Sequence, residues 1–157
     1  MNNVAKDQQE QLILLDILQR TNARYLTVRP QGIDPGEGRK LLSTIDCRIL
    51  NYGGARSLYR GRRPVCRSLD GIKSIQEPKK HCQECYERKH CTSQVRLDLL
   101  FENRSYRLLS AYSSAKNFLL YAGEISEKKI VLHKVITRIK VLNRGSWGEL
   151  RFSVCPD

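Results

Sequence analysis

At 157 residues the chain has the length of one domain with room for a small insertion, enough to bury a core without covalent staples. Hydrophobic residues at 40% and charged ones at 28% exclude a disordered polymer, and no apolar run approaches the ~20 residues of a bilayer-spanning helix. Net charge is +12; residues 1 to 38 carry −1, which leaves +13 for the remainder and points to a polyanionic partner, of which nucleic acid is the commonest.

The N-terminus, "MNNVAKDQQEQ", lacks a basic stretch followed by an apolar one, so no secretion signal is expected and the expected compartment is the cytoplasm. Residues 4 to 20 read as a helix with a polar start and a broad apolar second half, built on Leu12, Leu15 and Leu18. That helix is a candidate for packing on the domain or for docking a protein partner. "RPQGIDPGEGR" (29 to 39) follows as a turn-rich connector. The expected division is therefore an N-terminal helical arm and linker over 1–38 and a β-domain over 39–157, the latter interrupted by an insertion at 64–92.

From Leu41 the pattern turns to strands. "KLLSTIDCRIL" alternates with Leu41, Ser43, Ile45 and Cys47 on one face, and "NYGGARS" (51–57) reads as a glycine-bearing turn. After the insertion, Val95, Leu97, Leu99 and Phe101 alternate with polar residues, "ENRS" turns the chain, and "YRLLSAY" returns as the hairpin partner. Ala115, Phe118, Leu119 and Ala122 mark a short helix, capped by Ser113 or Ser114 and stopped at Gly123. A long strand over 130–143 and a last strand "WGELRFSV" complete the chain. Five or six strands with one helix between them predict a mainly β fold, an OB-like small Greek-key barrel; a sandwich or an α+β sheet is the alternative.

The insertion holds four of six cysteines. Cys82 and Cys85 form a C-x2-C pair, with Cys66 upstream and Cys91 downstream. Zinc requires four soft or borderline ligands, and a C-x2-C turn presents two thiolates to one ion while flanking loops supply the rest. In a reducing compartment such clusters bind metal more often than they pair as disulfides. A redox C-x2-C belongs at a helix mouth after a strand, whereas this one sits among charged residues. His81 and His90 are alternative ligands. Four thiolates close the coordination sphere, so the expected zinc is structural. The deaminase and H-E-x-x-H patterns, the P-loop and the dinucleotide fingerprint are all absent from the sequence, and no catalytic residue is assigned.

Beside the cluster, residues 53 to 67 contain Arg56, Arg60, Arg62, Arg63 and Arg67 and no acid, with Tyr52 and Tyr59 adjacent to or within the run. Lys79, Lys80, Arg88 and Lys89 carry the charge through the insertion. Arginine forks grip phosphate and tyrosine rings stack on unpaired bases, so basic residues interleaved with aromatics suit a single strand better than a duplex.

The segment "PVCRSLDG", with Cys66, Ser68, Asp70 and Gly71, resembles the "CxSxDG" motif of a family of small proteins encoded by phages and mobile elements. Cys82, Cys85 and Cys91 match its later cysteines, and "SSAKNF" (113–118) matches its "TSxKNF" helix start. Tyr86 stands where that family often has proline, and the resemblance covers about residues 40 to 154. It implies an OB-like fold with an inserted zinc loop and a role as a single-stranded-DNA-binding or a replication and recombination accessory protein; the expected partner is single-stranded nucleic acid, DNA in preference to RNA.

Overall fold

The computed structural model describes residues 24–76 and 78–156; the helix expected over 4–20 lies outside them. The fold is mainly β, with strands β1 (Arg24–Arg29), β2 (Gly32–Asp34), β3 (Thr44–Arg60), β4 (Arg63–Ser68), β5 (Thr92–Phe101), β6 (Arg104–Ala111), β7 (Thr137–Asn143) and β8 (Gly148–Val154). Among the described residues one α-helix, α1 (Tyr112–Glu127), follows β6. The strands run in the order β2-β1-β6-β5-β3-β7-β8, with β4 paired to β3. Residues 24–34, expected in the arm and linker, instead form β1 and β2. They join the main sheet through the parallel pairing of Leu26 with Leu108.

β3 organises the molecule. Thr44–Cys47 pairs with β7, Arg48–Ser57 with β5 and Arg56–Arg60 with β4. Ile45, Cys47 and Ile49 face the core by simple alternation. A bulge between Ile49 and Asn51 then resets the register, so that Tyr52, Gly54, Arg56 and Leu58 continue that face. The opposite face carries Gly53, Ala55, Ser57 and Tyr59.

The glycine-bearing turn expected at 51–57 is therefore continuous strand. Gly53 has a packing reason: a Cβ there would stand 3.2 Å from an Arg96 guanidinium nitrogen. The β5–β6 hairpin matches expectation, and Glu102 and Asn103 both take left-handed backbone (φ 50° and 59°) as its two-residue turn.

α1 is longer than expected and runs through Gly123 rather than stopping there. Ser114 lies inside the helix, where its Oγ accepts the Leu150 backbone N–H at 3.0 Å and ties α1 to β8. Phe118 is fully buried and meets Tyr52 and Phe152 edge-on at 5.0 and 5.4 Å. Tyr121 and Ile125 complete the helix's contribution to a core that also contains Leu26, Ile33, Leu97, Leu99, Leu108, Ile139 and Leu150. The strand expected over 130–143 begins only at Thr137; His133 sits in a preceding 3-10 turn, Leu132–Lys134.

The expected closed barrel does not form. β2 and β8, at the ends of the strand order, do not pair, and the eight strands make an open sheet. The sheet is nevertheless strongly curled. Arg67 on β4 lies over the Tyr25 ring on β1, 5.2 Å from its centroid. Four strand spacings separate them, about 19 Å in a flat sheet at the usual ~4.8 Å per strand.

Candidate metal centre and nucleic-acid interface

The insertion is built by short-range polar bonds. β4 brings Cys66 opposite Leu58 of β3. The chain then turns at Asp70, whose Oδ1 accepts bonds from Ser68 Oγ (2.9 Å) and from the backbone N–H groups of Ile72 (2.7 Å) and Lys73 (2.9 Å). Those backbone donors hold the Asp70 carboxyl below its ordinary range. Gly71 supplies the left-handed conformation (φ 74°) that the turn requires. Ser68, Asp70 and Gly71 thus form one device that folds the chain back after β4.

The return leg is pinned by Cys82 N–H to Ile72 O (2.7 Å) and Ser74 N–H to Lys80 O (2.9 Å). Ile75 N–H donates to Arg67 O at 2.8 Å and ties the excursion to β4. Cys85 opens a second turn, accepting from Arg88 N–H at 3.1 Å; the 3-10 turn Arg88–His90 then delivers Cys91 to the start of β5.

These turns bring the four insertion cysteines to one cavity of about 290 Å³, lined by Cys66, Cys82, Cys85 and Cys91. All four are free thiols. Burial pushes the Cys66 and Cys91 thiols upward, and the neighbouring cysteines of the cluster add to the shift in both. The other two cysteines are separate. Cys47 is a core residue whose thiol burial pushes up to about 12, and Cys155 lies against Asp46 and Arg138 on β3 and β7.

The donor set suits a structural zinc, which takes four thiolates at about 2.3 Å in a tetrahedron. Among the described residues no group of three or more His, Cys, Asp or Glu side chains is already drawn together tightly enough to hold a metal. Cys66, Cys82, Cys85 and Cys91 are the residues that would hold the ion. Neither His81 nor His90 lines it, and both are exposed.

The basic residues divide between the two faces of β3. Arg56, Arg60, Lys80 and Arg88 line the cysteine cavity itself. Arg62 and Arg63 are exposed at the β3–β4 hairpin tip, and Lys79 is exposed on the insertion. Tyr52 is half exposed, with its other side on Phe118. Tyr59 and Arg67 project to the opposite face, where Tyr59 accepts a 3.3 Å bond from Gln94. The expected set therefore surrounds the β3–β4 hairpin rather than forming a single stripe.

Two aromatic residues stand out that the sequence reading did not assign to the interface. Tyr86, between Cys85 and Arg88, is 81% exposed, and Tyr112, the first residue of α1, is 78% exposed with a left-handed backbone (φ 48°). Tyr86 shares a surface hollow with Arg56, Arg88 and Lys89; Tyr112 shares another with Lys89, His90 and Lys116. A tyrosine beside a cysteine and two residues ahead of the basic Arg88-Lys89 pair was the available signal for Tyr86. Nothing local in the sequence marks Tyr112, because its exposure follows from where α1 begins.

No family model, curated protein or solved structure matches this chain. Among the described residues no helix is long and apolar enough to cross a membrane.

Proposed function

We propose that the protein is a non-enzymatic nucleic-acid-binding module that takes single strands, DNA in preference to RNA, on a basic and aromatic surface organised by a structural zinc loop. The observation that carries this reading is the convergence of Cys66, Cys82, Cys85 and Cys91 on one cavity whose wall also holds Arg56, Arg60, Lys80 and Arg88. Metal ligands and phosphate-binding cations share a wall, so fixing the first fixes the second. Zinc, when bound, supplies charge neutralisation and a rigid tetrahedral joint. The chain's own residues do the rest: Arg56, Arg60 and Arg88 hold phosphate, while Tyr86 and Tyr112 offer open rings for stacking.

The strongly curled sheet with α1 packed against it supports reading the fold as an open variant of the OB-like architecture, and the "CxSxDG" resemblance supports the same assignment. A replication or recombination role follows from that resemblance. The test is titration of labelled single-stranded DNA, duplex DNA and RNA across a salt series. Single-stranded DNA is expected to bind tightest, with log affinity falling linearly with log salt. Equal or tighter duplex binding sinks the proposal.

A further inference from the structure

On the face of the sheet away from α1 lies a cleft of about 410 Å³, lined by residues of β1 together with Tyr59, Arg67, Gln94 and Leu109. It exists because the sheet curls until Arg67 reaches over Tyr25. The curl leaves Arg67 Nε buried and without a hydrogen-bond acceptor among the described residues. Arg67 itself is only partly buried, but a donor atom left buried without an acceptor carries a cost, so the site is short of one acceptor. The other such atom, Arg96 Nε, has Asp98 Oδ2 at 3.2 Å, off the angle a hydrogen bond needs, and so has a counter-charge in place.

The remaining polar groups are held in fixed positions. Ser57 Oγ donates to Gln94 Oε1 at 2.6 Å, and this orients Gln94 Nε2 toward Tyr59 Oη at 3.3 Å. The cleft thus offers a guanidinium on a tyrosine ring, a second tyrosine and an oriented amide edge. The volume lies in the usual range for small-ligand pockets.

We propose that this cleft receives the base of one nucleotide of a bound strand, with an acceptor on the base edge meeting the Arg67 guanidinium and the base plane lying against the Tyr25–Arg67 pair. The inference rests on the single-strand reading and places part of the strand's path on the opposite face of β3 from the cysteine cavity. The β3–β4 hairpin tip, with exposed Arg62 and Arg63, is the edge around which the backbone passes from one face to the other. A free nucleotide presents the same chemistry as a nucleotide within a strand, so the test separates the two.

The experiment uses the full chain and a set of single-stranded DNA oligonucleotides, each carrying one 2-aminopurine, with adenosine monophosphate in a parallel arm. A position-dependent fluorescence change that Arg67→Lys weakens about tenfold in affinity, the scale of one charged hydrogen bond, is the expected result. Tyr59→Phe, which removes one hydroxyl, gives a second variant in which the fold is retained; it is expected to shift the fluorescence response. Thermal melting of each variant checks folding. Strand binding that neither variant alters overturns the cleft while leaving the single-strand reading standing. Monophosphate binding lost in Arg67→Lys, with no strand binding, keeps the cleft and overturns its assignment to a strand. Binding of neither overturns both.

Discussion

The two ends of β3 are stabilised by different physics. At its start, Ile45, Cys47 and Ile49 enter a core in which Ile139, Leu150 and Phe118 are fully buried, and α1 closes over them. At its finish, β3 leads through β4 into residues 69–91, where Ser74 is the one buried residue among those described. That segment is shaped by Asp70, by backbone bonds of the return leg and by four thiols around a cavity. One end is stabilised by apolar burial. The other has almost no buried side chains of its own, and the proposed zinc would supply the cross-link that small loops generally rely on.

Removing the proposed zinc is the most severe way to break this contrast. Structural zinc contributes roughly 10–16 kcal/mol of apparent binding energy in small domains, so chelation or Cys82→Ser should unfold the insertion. Hydrogen exchange is expected to show protection lost over 69–91 and kept in β5, β6 and β7. Collapse of the whole sheet on chelation contradicts the division. The converse experiment is Phe118→Ala, which should cost about 3–5 kcal/mol, measured by denaturant unfolding. It should leave zinc stoichiometry unchanged under native conditions.

A smaller effect is expected for Tyr86→Ala, which should weaken single-strand binding by about 1–3 kcal/mol in anisotropy titrations, with melting temperature barely moved. Loss of stability without loss of affinity would assign Tyr86 to packing instead. The smallest effect concerns pH. Asp70 is held below its ordinary range chiefly by the Lys73 and Ile72 backbone donors. Its contribution is therefore fully present above its unfolded value near ~3.9 and is lost as pH falls through the lower folded value. Asp70→Asn should flatten the acid limb of the stability profile, measured by thermal melts from neutral pH downward.

Much of the hydrophobic end was legible in the sequence because alternation was unbroken there: Leu97, Leu99 and Phe101 on β5, and the turn at 102–103, lie where the period of two puts them. β3 was misread where the bulge after Ile49 resets the register, since one extra residue exchanges the faces and two glycines then resemble a turn. β1 and β2 were hidden by the glycines and prolines of 29–39, and their place in the sheet depends on β6, some eighty residues away. At the other end, the cysteine spacing led directly to a set of thiols that the structure brings to one cavity. The division of the arginines between two faces was not legible, because it follows from the register of β3 against β4 and from the curl that carries Arg67 to Tyr25.

If the proposed zinc-held loop organises the strand-binding face, affinity for the strand depends on the metal. The decisive measurement is single-stranded DNA affinity of the same preparation as purified, after chelation, and after return of one equivalent of zinc. Affinity that falls on chelation and recovers with one equivalent of zinc is the predicted result. Affinity that is unchanged in the metal-free chain contradicts the claim.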